Sequence, residues 1–365
     1  MMSSRDSAVA GHRLRSGSAR KPPVSERPGY RLTGAAHRAS ALVLACVVLV
    51  GACEAGATGG EPVRIRVPAG APFALVADSL AAKGVIGSTR LFRLYARIGG
   101  RANRIKPGTY EFVPGTAWHT VLDDLIAGRI ITGRLVVPEG LLLSDILGRI
   151  AEFSGVSADS LRTAFGDTSA ARRYDVPGPT LEGYLYPATY TLPIEAGPDT
   201  IVREMVETYQ RVWTPERRSA AAAAGLSERE VVTLASIIEK EAVRPEEMPL
   251  IGAVYRNRLR IGMALQADPT VQYALGGHRE RLLYADIDRV RDHPYNTYAR
   301  AGLPPGPIAA SSDRAIDAAL HPTDADFLYF VARPDGTHVF SRTLAEHNRA
   351  RFEIRSEQRR SGASH

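Results

Sequence analysis

Cysteine is scarce in this chain, and both copies, Cys46 and Cys53, fall in or beside one apolar run near the N-terminus. No thiol follows residue 53, which excludes a disulfide framework and a cysteine-ligated zinc site from the rest of the sequence. The nine histidines show no HExxH or comparable ligand spacing. Nothing in the sequence therefore calls for a metal, and no cofactor is expected.

Long apolar runs are also missing. The candidate membrane segment, residues 39–52 (ASALVLACVVLVGA), has fourteen residues, whereas a spanning helix needs about 20. Its length is typical of a signal-peptide core, and VGAC, which ends at Cys53, resembles a lipobox with lipid attachment at that cysteine. Two alternatives stay open over residues 39–53, a lipoprotein signal and an uncleaved membrane anchor. Both hold the following domains on the extracytoplasmic (periplasmic) face of the cytoplasmic, or inner, membrane.

The net charge of +7 is unevenly distributed. Residues 1–40 account for almost all of this charge, since they contain eight basic residues and only two acidic ones, Asp6 and Glu26. Residues 1–38 are rich in Ser, Gly and Pro, and we predict a disordered basic tail on the cytoplasmic side of the membrane. Because this charge flanks an apolar run, it fits a positive-inside signal, and no nucleic-acid partner is expected. The basic residues are Arg5, Arg13, Arg15, Arg20, Lys21, Arg27, Arg31 and Arg38.

An internal repeat follows a short linker at 54–62. Residues 64–70 (RIRVPAG) are echoed by residues 134–140 (RLVVPEG). Each copy predicts a strand that ends at Pro-x-Gly and leads into a helical pattern, and a further strand and a helix near 120–127 lie between the copies. We therefore predict one small α/β module over residues 63–156.

The rest of the chain is predicted to form a larger domain. Residues 157–180 have the pattern of a connector with one short helix. Helical patterns and strands then alternate irregularly over 181–355, which indicates a mixed α+β domain. It includes a strand hairpin around the turn Pro334-Asp335-Gly336 and a closing helix. Residues 356–365 are predicted to be a C-terminal tail.

The segment 227–270 carries the strongest chemical signal. Ser227 and Glu230 form a capping box, and a helical apolar stripe follows at Val231, Leu234, Ala235 and Ile238. Glu241 falls closer to that buried face than Glu239 does. A carboxyl group at the edge of an apolar stripe is partly desolvated, which raises its pKa and suits it to act as a general acid. The alternative is that these acids are ordinary solvated residues at a helix end.

Several stretches in this half of the chain resemble the MltG (YceG-like) family of endolytic murein transglycosylases. They are LASIIEKEA, YRNRLRIGMALQADPTVQYALG, YNTY with GLPPGPI, and HP with LYFVARPDGTHVF. Such an ordered series is far more specific than one short motif. The resemblance implies that Glu241 is the catalytic residue of a catalytic domain over 181–355, and that the preceding module is LysM-like. That module either binds glycan or serves as a structural spacer.

The resemblance also implies which residues bind substrate. Gln266, Asn296 and Tyr298 stand in the matched motifs and are candidates to orient the sugar, although Asn296 could equally fix its loop. Glu182, in LEGYLYPATY, either lines the groove or fixes the adjacent loop. In that motif Ala188 stands where the family usually has Asp, so a hydrogen bond made by the Asp is absent here.

The implied reaction is non-hydrolytic cleavage of the β-1,4 bond between MurNAc and GlcNAc within nascent peptidoglycan strands. It leaves 1,6-anhydroMurNAc ends and terminates or trims strand elongation, in company with a peptidoglycan synthase complex. Two alternatives remain. One is a hydrolytic muramidase that pairs Glu241 with Asp268 or Glu182, although Asp268 is expected to be a helix cap. The other is a non-catalytic, membrane-anchored glycan-binding protein.

Overall fold

The computed structural model describes residues 60–277, 279 and 282–362. The chain divides into two units, Met1–Ala55 and Gly56–His365, and every described residue belongs to the second, which is compact. The predicted basic tail, membrane segment and lipid site at Cys53 lie outside the described residues. Within the described part of the chain, no helix is long and apolar enough to cross a membrane.

The first 70 or so described residues fold around a core of their own. Strands β1 and β2 pair antiparallel, with Ile65 opposite Tyr110. Alternate side chains of both strands point inward, so that Tyr110 and Phe112 are buried against the helices. The elements are β1 (Val63–Val67), α1 (Phe73–Ala82), α2 (Thr89–Ile98), β2 (Gly108–Phe112) and α3 (Trp118–Ala127).

The second copy of the repeat has the same local structure but joins a different core. In both copies a glycine with positive φ follows shortly after the strand, Gly70 at 72° and Gly140 at 74°, a conformation that favours glycine. Strand β3 (Thr132–Val136) pairs antiparallel with β4 (Thr189–Pro193). Because its partner strand comes from far along the chain, the second copy packs into the larger core. The two cores therefore divide the chain near residue 130, earlier than the predicted boundary after residue 156.

The larger domain is mainly helical and has two small antiparallel sheets among its described residues. The predicted connector, 157–180, forms two helices rather than one, and Leu161 and Phe165 from it join the core. The remaining elements are α4 (Leu143–Ser154), α5 (Ala158–Phe165), α6 (Thr168–Arg173), α7 (Pro198–Val212), α8 (Pro215–Ala223), α9 (Glu228–Glu241), a 3₁₀ turn (Pro245–Glu247), α10 (Met248–Arg260), α11 (Asp268–Ala274), α12 (Tyr284–Arg289), α13 (Asp313–Leu320), β5 (Tyr329–Ala332), β6 (His338–Ser341) and α14 (Leu344–Gly362).

Helix α9 lies at the centre of the larger core. Its predicted capping box is confirmed, since Ser227 N donates to Glu230 at 2.8 Å and Glu230 N donates to Ser227 Oγ at 3.3 Å. All residues from 231 to 238 are buried, so the helix is covered on every side rather than along one stripe. It ends at Glu241, where the chain leaves the core.

The predicted hairpin near the C-terminus is confirmed as β5 and β6, which pair antiparallel with Phe330 opposite Phe340. The predicted closing helix is confirmed as α14, which begins at Leu344 and continues to Gly362. It therefore takes in most of the segment 356–365 that was expected to be a tail. Its N-terminal half covers the hairpin, and Tyr329 stacks on His347 with ring centroids 5.4 Å apart.

Candidate active site

A cleft of about 700 Å³ opens where helix α9 ends. Helix α10, the loop before α11, the β5–β6 hairpin and α14 all contribute residues to its lining. Glu241, Gln266, Asp268 and Tyr298 all line it. The structure thus brings together three of the five predicted site residues, while Asn296 and Glu182 are not among the lining residues.

Glu241 projects into this cleft from the last turn of α9. Its Oε1 accepts a 2.8 Å hydrogen bond from the hydroxyl of Tyr255, a residue of α10 that is 1% exposed. Glu241 is partly exposed as a whole residue, but its carboxyl group is buried. This burial raises the pKa of Glu241 to about 7, against the opposing effect of the Tyr255 hydrogen bond. Its neighbour Glu239 points elsewhere and accepts from the N–H and hydroxyl of Ser312 at the start of α13.

Two further charges act on Glu241. Asp268 raises its pKa and Arg258 lowers it. Arg258 is 7% exposed, and its guanidinium donates hydrogen bonds to the carbonyl oxygens of Leu328 and Leu265. A fixed cation and a nearby carboxylate therefore flank the acid, and burial outweighs both in setting a pKa near neutrality.

Asp268 does not cap helix α11, contrary to the expectation from sequence. It is the first residue of that helix, and the N-cap position is occupied by Ala267, without a side-chain cap. The carboxylate accepts a short hydrogen bond from the hydroxyl of Tyr298. Asp268 thus has a cleft position that the Asp-Pro sequence pattern did not indicate.

Gln266 occupies a strained position beside these groups. Its φ is 49°, in the left-handed region that non-glycine residues seldom adopt, and its side chain is exposed in the cleft. The backbone is held there because Gln266 N donates to Thr297 O at 3.1 Å and Ala267 N donates to Thr297 Oγ1 at 3.0 Å. The YNTY loop therefore fixes the geometry of the Gln266 turn.

Asn296 is fully buried, and its side-chain amide is committed to the backbone. Nδ2 donates to the carbonyl oxygens of Ile287 and Val290, and Oδ1 accepts from the N–H groups of Tyr298 and Ala299. No capacity is left for a sugar hydroxyl. Of the two roles expected from sequence, the structure favours loop fixing, and it is Tyr298 that this loop presents to the cleft.

Glu182 is likewise buried, at 5% exposure, away from the cleft lining. Its Oε1 accepts a 2.9 Å hydrogen bond from Leu143 N, the first residue of α4. Burial raises the pKa of Glu182 to about 7. The carboxyl group ties the LEGYLYP segment to α4, which favours the loop-fixing alternative. In the same segment Ala188 accepts from Val137 N through its carbonyl, a bond that any residue can make.

The sequence did not single out several residues of the cleft. Tyr255 and Arg258 stand three residues apart in the motif YRNRLRIG, a spacing that places both on one face of α10. That spacing was the sequence signal that could have identified Tyr255 and Arg258 as neighbours of the acid. His347, Arg351 and Arg355 also line the cleft, at four-residue intervals on α14. Within the described residues, no group of three or more His, Cys, Asp or Glu side chains is arranged to hold a metal ion.

The chain is similar to proteins of known family over most of its length. The YceG-like family model matches residues 65–353. An endolytic murein transglycosylase of Bacillus subtilis is 35% identical over 79% of this chain and 84% of its own length. One from Streptococcus pneumoniae is 27% identical over 79% of this chain but 57% of its own, longer sequence. A yceG-like protein of Listeria monocytogenes, known from a 2.6 Å crystal structure, is 34% identical, with a TM-score of 0.55. The match covers 80% of this chain and the whole of that protein chain.

Proposed function

This chain belongs to the YceG-like family, and from that premise we propose that it is a peptidoglycan lytic transglycosylase that uses Glu241 as its catalytic acid. The substrate is a glycan strand, cut internally at the β-1,4 bond between MurNAc and GlcNAc. The position and the protonation of Glu241 carry the proposal. It lines a cleft on the surface of the larger domain, and its pKa of about 7 keeps a large share of the carboxyl protonated near neutral pH.

One residue can serve both proton transfers. The protonated Glu241 donates its proton to the glycosidic oxygen, and the bond from that oxygen to C1 of MurNAc breaks with its electron pair on the leaving oxygen. The C6 hydroxyl oxygen of the same MurNAc then forms a bond to C1, and its proton returns to the Glu241 carboxylate. The ring closes as 1,6-anhydroMurNAc, no water is consumed, and the acid is restored. A pKa close to ambient pH suits both steps.

The neighbours of Glu241 support this cycle. The Tyr255 hydroxyl stabilises the carboxylate formed after the first proton transfer, and burial keeps Tyr255 protonated as a donor by raising its pKa. Asp268 and Tyr298 face the same cleft, and a carboxylate there favours the positive charge that develops on the sugar ring. We assign Gln266 and Tyr298 to sugar binding because their side chains line the cleft.

A hydrolytic muramidase is the second candidate, and Asp268 is the observation that favours it. A glycosidase with two carboxylates uses one as an acid and the other as a nucleophile or base. Asp268 lines the cleft and its charge acts on Glu241. In that case a water molecule would replace the C6 hydroxyl, and the products would carry ordinary reducing ends.

Mass spectrometry of the fragments released from peptidoglycan by residues 56–365 tests the proposal. Wild-type protein should release internal fragments with 1,6-anhydroMurNAc ends. Glu241→Gln keeps the shape of the side chain but cannot transfer the proton, and it should reduce cleavage by about 10²-fold or more. Glu246→Gln is the matched control, because that acid lies five residues on, is exposed and does not line the cleft.

The outcomes separate the candidates. Fragments one water heavier would show hydrolysis and direct attention to Asp268. Equal cleavage by wild type and Glu241→Gln would refute the assignment of the acid. A folded wild-type protein that binds but never cuts glycan would leave the non-catalytic alternative.

Three finer points are part of the same proposal. The segment 39–53 anchors the enzyme at the extracytoplasmic face of the cytoplasmic membrane, by an uncleaved helix or by lipid at Cys53, where it acts on nascent strands beside a peptidoglycan synthase. The first domain is LysM-like and contacts glycan. Its order of strand, two helices and antiparallel strand supports that likeness.

A further inference from the structure

Helix α2 of the first domain exposes an apolar stripe. Phe92 and Ala96 face the core and are fully buried. On the outer side Leu91, Leu94 and Ile98 are 50%, 53% and 79% exposed, and Tyr95 is 38% exposed. Their spacing of three and four residues places the four side chains next to one another along one face of the helix. Scattered exposed apolar residues are ordinary, but a continuous stripe on one helix indicates a binding surface.

Three arginines border this stripe. Arg90, Arg93 and Arg97 are exposed and lie along one edge of it, between the stripe and the buried face. The helix contains no acidic residue. No carboxylate of the described part of the chain forms an ion pair with any of the three arginines, so their charges are available to an outside partner. An apolar face with arginines along its edge is the composition of helices that lie in a membrane interface.

The charge of the whole first domain points the same way. Residues 60–131 contain ten basic and five acidic side chains, whereas residues 132–365 contain 28 basic and 31 acidic ones. The net charge after the N-terminal tail is therefore close to zero because a basic first domain is offset by a slightly acidic larger domain. An anionic partner is attracted to the first domain in particular.

Trp118 lies at the edge of the stripe. Its ring centroid is 6.0 Å from that of Tyr95 and 5.7 Å from that of the buried Phe92. Aromatic side chains with a polar group prefer the level of the lipid headgroups. Tyr95 and Trp118 together thus give the apolar face the aromatic border expected at a membrane surface.

We propose that this surface, defined by Leu91, Leu94, Tyr95 and Ile98 with its arginine border, docks on an anionic lipid bilayer. The observations favour lipid over glycan because three of the four apolar side chains are aliphatic, whereas sugar rings stack on aromatic platforms. They favour lipid over a second copy of the chain because the arginine border would face the same positive charge across a symmetric contact. The proposal concerns the first domain and does not depend on the reaction at the cleft.

Vesicle flotation of the fragment Gly56–His365 tests this docking. The fragment is the second compact unit of the chain and holds both cores complete, and it lacks the apolar run at 39–52 and Cys53. We expect it to float with vesicles of phosphatidylcholine and 30% phosphatidylglycerol, and much less with phosphatidylcholine alone. Bromine-labelled lipid should quench the fluorescence of Trp118, and Trp118→Phe should remove that quenching, because the other tryptophan, Trp213, is buried.

Substitutions then separate the two contributions. Leu94→Glu with Ile98→Glu should weaken binding about tenfold or more on anionic vesicles. Each of Arg90→Gln, Arg93→Gln and Arg97→Gln should weaken it roughly fivefold, and only on anionic vesicles. Ile261→Glu and Arg314→Gln are matched controls, because both residues are exposed on the larger domain. All of these side chains are exposed, so the melting temperature and the cleavage of soluble glycan should stay unchanged.

Other results would overturn the proposal. Wild-type fragment that floats with neither vesicle, or a Leu94→Glu/Ile98→Glu variant that binds as well as wild type, would do so. Light scattering that shows a dimer lost in this variant would assign the stripe to a protein interface. Loss of pelleting with isolated glycan strands, without any vesicle binding by wild type, would assign it to glycan.

Discussion

The hydroxyl of Tyr255 donates a 2.8 Å hydrogen bond to Oε1 of Glu241, which joins helix α10 to the last turn of helix α9. Burial raises the pKa of Glu241 and this bond lowers it, so a pKa of about 7 is a balance between the two. The hydroxyl is thus a tuning group for the acid. It also fixes the direction in which the carboxyl group faces the cleft.

Removing that hydroxyl should shift the pH dependence of cleavage. Tyr255→Phe takes away a bond that favours the charged carboxylate, so the pKa of Glu241 should rise by roughly half to one pH unit. The alkaline limb of the kcat/KM profile, where the acid loses its proton, should move upward by the same amount. Tyr209→Phe is the matched control, because Tyr209 donates to Glu228 in a similar, partly buried pair that does not line the cleft. An unshifted profile would mean that Tyr255 does not act on the acid.

The raised pKa of Glu241 also predicts how stability depends on pH. The folded state holds this proton more tightly than the unfolded state, whose pKa is near 4.5. Stability should therefore fall as the pH rises from about 4.5 to about 7. Glu241→Gln removes this loss, so at pH 8 the variant should have a free energy of unfolding up to ~2 kcal/mol above wild type, a figure reduced for the partial solvent access of the cleft. Near pH 4 the two proteins should be equally stable, which urea unfolding across the pH range measures.

Glu182 provides the control for that experiment. Its pKa is also raised to about 7 by burial, but it does not line the cleft. Glu182→Gln should flatten the same part of the stability profile and leave the pH dependence of cleavage unchanged. A shift in the pH dependence of cleavage would show that Glu182 affects the pKa of Glu241.

Gln266 and Asp175 allow strain to be separated from function. They are the two non-glycine residues with positive φ in the described part of the chain, at 49° and 53°. Replacing either by glycine should raise the free energy of unfolding by up to ~1 kcal/mol, because glycine adopts this conformation without steric cost. Gln266→Gly should also weaken glycan binding, measured as a higher KM, whereas Asp175→Gly should not. Equal KM values would remove Gln266 from the substrate site.

The YNTY loop should divide into a structural and a functional half. Asn296→Ala leaves four backbone groups without their partner, and it should lower the free energy of unfolding by ~2–4 kcal/mol. Tyr298→Phe removes one hydrogen bond to Asp268 at the cleft, and it should cost ~1 kcal/mol or less while reducing kcat/KM. Thermal unfolding and cleavage rates, measured side by side, check both. A stable Asn296→Ala protein with reduced substrate affinity would return Asn296 to the binding site.

The parts of this protein that the sequence alone determined are those whose physics is local. The capping box at Ser227 and the apolar periodicity to Ile238 are set by residues three and four apart, so they locate helix α9 and its last turn. The same periodicity favoured Glu241 over Glu239 as the candidate acid, although the tertiary structure covers α9 on every side rather than along one stripe. The Pro-x-Gly repeat likewise predicted two strand ends, because the left-handed turn needs glycine.

The tertiary structure decided everything that depends on distant partners. Glu182 is tied to Leu143, 39 residues away in sequence. Even the shorter-range role of Asn296 depends on how the loop folds back, since its amide meets the carbonyl oxygens of Ile287 and Val290, nine and six residues earlier. Asp268 accepts from Tyr298 rather than capping its own helix, because the YNTY loop comes to it from 30 residues away. The repeat crosses a domain boundary because β3 finds its partner strand in β4. A sequence pattern records what neighbouring residues prefer, but long-range packing decides which of those preferences is met.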